Sequence, residues 1–186
     1  MPDPQTRDEI ITHLQHIQVN LTNTVQAISD ERFDRGTLES WSAAGYLKHL
    51  ILSIKPFAKA LNFPKEQLQK MFGTPDRSSR SYAELVSFYN AKLAEGVRAE
   101  NYEAVTPVVY RLPEDLQNLK AYLLDAWNDS NNRVLTALNA WEDADLDQYQ
   151  IPHPAIGLVT VREMLFFTVY HNTLHWHDIE QASVVA

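Results

Sequence analysis

The residues of this chain best placed to do chemistry lie between Thr160 and Gln181, in the stretch TVREMLFFTVYHNTLHWHDIEQ. At about 100° of rotation per residue, Met164, Thr168, His171, His175, Asp178 and Ala182 share one helix face, widened by Leu165, Val169 and Ile179. Side chains four residues apart stack over one another, so His171 and His175 can close on a single metal ion. His177 points about 140° away from their mean direction, and Trp176 nearly as far. A histidine pair on an apolar face also fits a plainer reading: two core imidazoles, each hydrogen-bonded through one ring nitrogen to a carbonyl. Asn172 stands where a zinc-protease HExxH would carry its glutamate, which excludes that chemistry.

The elements that must position these groups read as helices. Thr160 and Glu163 form a capping box that opens the histidine helix. Thr6 and Glu9 open another, whose core stripe is Ile10, Leu14, Ile17, Leu21, Val25 and Ile28. His13 and His16 fall off that stripe and read as surface residues. A polar stretch from Ser29 to Ser40 ends this first helix. A second begins at Trp41, with Leu47, Leu50, Ile51, Ile54, Phe57 and Leu61 on its apolar side and a kink expected at Pro56. His49 lies at the edge of that stripe. Gly45 and Ser53, one turn either way, leave room around its imidazole.

Asn62 to Arg80 reads as a connector with a short helical piece, and Ser81 with Glu84 caps a third, shorter helix that fades near Gly96. Asn101 to Leu112 reads as loop. Pro113, followed by Glu114 and Asp115, is expected to open the longest helix, with Leu116, Leu119, Leu123, Trp127, Val134 and Leu138 facing the core. Asp125, Asn128, Asp129 and Asn132 form a polar flank read as solvated. His153, before Pro154, is expected to be extended and to lie in a loop, away from any ligand role.

With 186 residues the chain suits one domain, residues 1–186, and is too short for two comfortable ones. Only five glycines and no clear alternation favour an all-α fold, four long helices in a bundle with short helical pieces between them. The net charge of −8, with no basic run, argues against a nucleic-acid or anionic-membrane partner. With no cysteine, any metal must be held by nitrogen and oxygen. MPDPQTRDE has no apolar signal core and no segment reaches membrane-span length, so a cytoplasmic protein is expected.

Two motifs now carry a resemblance. Trp41-Ser42 followed by His49-Leu50 has the form W-[ST]-x6-H-L, and His153-Pro154-x2-Gly157 precedes the His171-x3-His175 helix. In this order and spacing they resemble the DinB/YfiT-like superfamily of metal-binding four-helix bundles, over almost the whole chain. The resemblance implies an up-down-down-up bundle, to which the reading of the residues adds a short helix between the second and third long ones. It implies a site for nickel, zinc or a similar divalent ion, with ligands carried over onto His49, His171 and His175. Two positions depart from the family pattern: Gly45 stands where members often have glutamate, and Asp178 where many have glutamine. The first removes a carboxylate from behind the ligands, and the second supplies one nearby.

Three imidazoles leave a coordination position open, the arrangement of catalytic metal sites. Resemblance to thiol-dependent S-transferases and metal-dependent hydrolases implies an enzyme with a small-molecule substrate, such as a low-molecular-weight thiol. S-transfer stands ahead of hydrolysis, with Asp178 orienting a ligand imidazole or accepting a proton. The other class is a non-catalytic metal-binding bundle with a structural or sensing role. A homodimer is implied by the family alone.

Overall fold

The computed structural model describes residues 1–36 and 41–185, with side chains described as far as residue 182. The last part of the polar stretch expected between the first two long helices, residues 37–40, lies outside the described residues. Among the described residues eight α-helices follow in order: α1 (Arg7–Ala27), α2 (Asp30–Phe33), α3 (Ala43–Leu61), α4 (Lys65–Phe72), α5 (Tyr82–Ala94), α6 (Leu119–Ala137), α7 (Asp145–Gln148) and α8 (Val161–Val185). The long ones, α1, α3, α6 and α8, form the bundle.

The expected caps are present. The Thr6 hydroxyl accepts from the Glu9 N–H while the Glu9 carboxylate accepts from the Thr6 N–H, and Ser81 with Glu84 does the same for α5. The whole stripe from Ile10 to Ile28 is buried. Trp141 and Trp127 are the largest side chains fully enclosed, and the Trp141 indole N–H reaches the Leu61 carbonyl at 3.1 Å.

Helix directions follow from end-to-end contacts. The Arg162 guanidinium at the start of α8 donates to the Gln5 carbonyl ahead of α1, and Trp176 late in α8 donates to Thr24 late in α1, so these two run parallel. Lys120 at the start of α6 donates to the Ile28 carbonyl beyond the end of α1, which makes that pair antiparallel. The ends of α3 and α6 meet at the Trp141–Leu61 bond, so they run together. The topology is up-down-down-up.

Three features differ from the sequence reading. The third long helix starts at Leu119 rather than Pro113, because the Asn118 side chain accepts from the Ala121 N–H and supplies a stronger cap than a proline, which only tolerates a first turn. The longest helix is α8, not α6. Of the flank read as solvated, Asn128 and Asn132 instead accept hydrogen bonds from the Gln18 amide and tie α6 to α1.

A small antiparallel hairpin also appears, β1 (Gln150–His153) and β2 (Gly157–Thr160), in register Ile151 to Val159 and His153 to Gly157. Its three-residue loop closes through Gly157 at φ +75°, the conformation such loops require and glycine adopts freely. Pro152 speaks against a strand in the sequence, yet a proline is tolerated in a two-stranded ribbon, where each strand has an open edge. Among the described residues no helix is long and apolar enough to cross a membrane.

The first turn of α8 is held by buried charge. The Glu163 carboxylate is fully enclosed and accepts from both Arg77 guanidinium nitrogens at 2.7 and 2.8 Å, from the Arg80 backbone and side chain, and from the Thr160 N–H. Burial alone would raise its pKa; the Arg77 guanidinium and the two backbone N–H groups outweigh that and hold it below the usual carboxylate range. Replacing Glu163 by alanine strips these donors of their acceptor and is expected to cost about 3 kcal/mol in a urea titration. Thr6→Ala, which loses one cap bond, should cost about 1 kcal/mol. Equal losses in the two variants would show that the Glu163 cluster adds nothing beyond a cap.

Candidate metal centre

The Ser42 hydroxyl accepts from the Gly45 N–H at 3.1 Å and starts α3. A Cβ on Gly45 would lie 2.9 Å from the Trp41 Cβ. The room beside His49 is therefore taken by Trp41, whose ring sits 5.2 Å from the imidazole, centroid to centroid. A glutamate at position 45 would displace it.

His49 is buried, and its Nδ1 lies 2.7 Å from the Val105 carbonyl oxygen. A carbonyl only accepts, so Nδ1 carries the proton and Nε2 presents a lone pair to the interior. Burial, reinforced by the charge His175 can carry, pushes the His49 pKa down to about 4 against the pull of the Val105 bond. His171 is buried too, stacked on Phe167 at 4.9 Å, and burial holds it neutral well below the ordinary range. His175 Nδ1 sits 2.8 Å from an Asp178 carboxylate oxygen, which likewise leaves its Nε2 for the centre. The three ligand nitrogens all lie within 4.8 Å of one another.

The decisive contact is His49 Nε2 to His171 Nε2 at 3.0 Å. Two lone pairs cannot face each other at that distance in a dry core. Either His171 donates a proton to His49 or a cation stands between them. Nitrogens bound at about 2.1 Å to one cation lie roughly 3.0–3.4 Å apart, so the approach fits metal coordination. All three donors are imidazole nitrogens, a set suited to a divalent transition-metal ion.

The other histidines divide as follows. His177 is exposed, its ring stacked on Trp176 and its Nδ1 against Glu180, away from the centre as expected. His16 is exposed and His13 half-buried, both on α1. His153 differs from its expected place. It ends β1 in the extended conformation expected before a proline, but it is buried, with its ring 4.2 Å from Phe167. It lies outside the three-nitrogen group yet lines the same cavity, a space of about 740 Å³ that opens from His49, His171 and His175.

These motifs are those of a known fold. The family model of the DinB superfamily matches residues 5–179. The chain belongs to this superfamily. No curated protein matches the chain. The superfamily's recurring positions now have physical roles in this member. Ser42 caps α3, Trp41 packs over His49, and Gly157 turns the hairpin that leads into the ligand helix. Two contributors were not legible as site residues. The Val105 carbonyl is a backbone group and leaves no signature, whereas the place of His153 beside Phe167 follows only once the hairpin is seen.

Held near pKa 4 by burial, His49 and His153 give the metal-free protein a definite pH response. The unfolded chain takes up protons on these rings below about 6.5 while the folded chain does not. Their stabilising contribution is complete above that pH and is lost as pH falls from about 6.5 to about 4. Urea midpoints of metal-free protein at pH 7, 6 and 5 should fall accordingly. In His153→Phe the slope between pH 6 and 5 should be shallower, by about 1.4 kcal/mol per pH unit. An unchanged slope would show that His153 protonates freely in the folded state.

Proposed function

We propose that the protein is a metal-dependent enzyme in which His49, His171 and His175 hold a divalent cation, nickel or zinc, and that it transfers a thiol sulfur to a small electrophile. The observation that carries this reading is the convergence of three imidazoles, two buried and one half-buried, on one side of a cavity large enough for a small molecule. A divalent cation bound there would lower the pKa of a thiol or water at its open position.

The chain's own residues have separate tasks. The Val105 carbonyl and Asp178 fix the tautomers and ring planes of His49 and His175. Trp41 and Phe167 cover the ligand rings and keep water from them. Asp178 is engaged with His175. A thiol starts from a much lower pKa than water and so loses its proton to a bound cation more readily, which favours S-transfer over hydrolysis. The same reading makes the protein a cytoplasmic homodimer with no nucleic-acid or membrane partner, in keeping with its net charge of −8.

Untagged protein should carry one nickel or zinc per chain by elemental analysis and should conjugate small thiols to monochlorobimane only when loaded. Loaded protein without conjugation would leave the non-catalytic, metal-binding alternative.

His49→Ala, His171→Ala and His175→Ala should each empty the site, while His177→Ala and His13→Ala leave it filled. Asp178→Asn should retain metal with affinity lowered about 10- to 100-fold. Chelation of the wild type at pH 7 should lower its melting temperature, and loss of metal without a shift would contradict selective binding to the folded state.

A further inference from the structure

The cavity beside the three histidines has an electrostatic character of its own. Its walls are largely apolar, with Phe57, Phe63, Phe72, Leu93 and Phe167 among them. Its lining includes three charged side chains, Arg98, Glu100 and Asp178. The Arg98 guanidinium donates to the Leu93 and Val97 carbonyls, and Asp178 is held by His175. Arg98 and Glu100 are both exposed, so the buried part of the lining has no cationic side chain to pair with a carboxylate, a phosphate or an expelled anion. Burying such a group here without a partner would be costly.

One polar group in the lining is defined by its tautomer. The Ala155 backbone N–H lies 3.1 Å from His153 Nδ1. A backbone amide can only donate, so Nδ1 accepts and the ring's proton sits on Nε2. That Nε2–H has no hydrogen-bond partner among the described residues, and His153 lines the cavity. Burial keeps the ring neutral, with its pKa pushed down to about 4. His153 thus offers a fixed donor in a largely apolar wall that also holds the buried, unpartnered Asn172 Nδ2.

We propose that this cavity takes the second substrate, an uncharged, largely apolar electrophile bearing one acceptor oxygen, such as an enone or an epoxide, and that His153 Nε2–H donates to that oxygen. The assignment rests on the thiol-transfer reading above. The reaction it favours is addition. The thiol sulfur forms a bond to carbon; in an enone the carbon–carbon π pair moves to oxygen, and in an epoxide a carbon–oxygen bond breaks. The thiol proton leaves to water, and the product receives one from water. No separate anion is expelled, and the charge developing on oxygen faces the His153 donor while the ring keeps its proton.

The test is binding of benzylideneacetone, its para-carboxylate and the matching alkene without the carbonyl to metal-loaded full-length protein, read by isothermal titration. The ketone should bind at least 10-fold more tightly than the carboxylate. His153→Phe should weaken ketone binding about 5- to 10-fold while leaving the alkene unchanged, and His153→Gln should recover part of the loss. Equal affinity for ketone and carboxylate, or ketone binding indifferent to His153→Phe, would overturn the proposal. If His153→Phe does not fold, the wild-type comparison of ketone with carboxylate decides alone. Ketone binding without conjugation of any thiol would leave the cavity assignment standing and remove the thiol-transfer reading. Conjugation of monochlorobimane without ketone binding would do the reverse.

Discussion

Two imidazole nitrogens that meet at 3.0 Å inside an apolar core impose a condition on everything around them, because a proton or a cation has to lie between them. The bundle makes this meeting possible. His49 comes from the early part of α3 and His171 from the middle of α8, on helices that run in opposite directions. The shared height of these two residues is set by the ends of the helices. At one end Ser42 starts α3 two turns before His49; at the other, Glu163 and its arginines anchor the first turn of α8. A register shift of one turn in either helix moves one imidazole about 5.4 Å along the axis and ends the contact.

The sequence discloses the parts of this arrangement that depend on side-chain periodicity. The spacing of His171 and His175 places them on one face, and the same arithmetic turns His177 to solvent, as found. The stripe of α1 and the caps at Thr6, Ser81 and Thr160 are legible for the same reason, since each is a local pattern with a local cause. What escapes is what depends on distant chain. Pro113 reads as the opening of α6, and only the structure shows that the backbone starts at the Asn118 cap instead. The Arg77 and Arg80 contacts to Glu163 join segments more than eighty positions apart. His153 reads as a loop residue because it precedes Pro154, and its burial follows from a hairpin too short to show in the pattern.

Gly45 shows how a single position can exchange one kind of support for another. Where a glutamate side chain would project from α3, the bare backbone admits Trp41 instead, and the indole covers His49. The polar hold on that ring comes from another direction, through the Val105 carbonyl. His175 has its carboxylate three residues along the same helix, in Asp178. Each of these two imidazoles thus has its orientation fixed by one acceptor, drawn from different parts of the chain.

An up-down-down-up bundle needs a long connection between its two parallel middle helices, and here that connection, residues 62–118, contributes much of the cavity wall through α4, α5 and the turns around Val105. The three histidines that could hold a metal ion all lie elsewhere, on α3 and α8. The candidate ligands and this part of the wall therefore come from separate lengths of chain. The one link from the connection to the ligands described above is a main-chain carbonyl, which every amino acid supplies. Side chains along this wall are free to diverge, reshaping what the cavity admits, without disturbing the grip on His49.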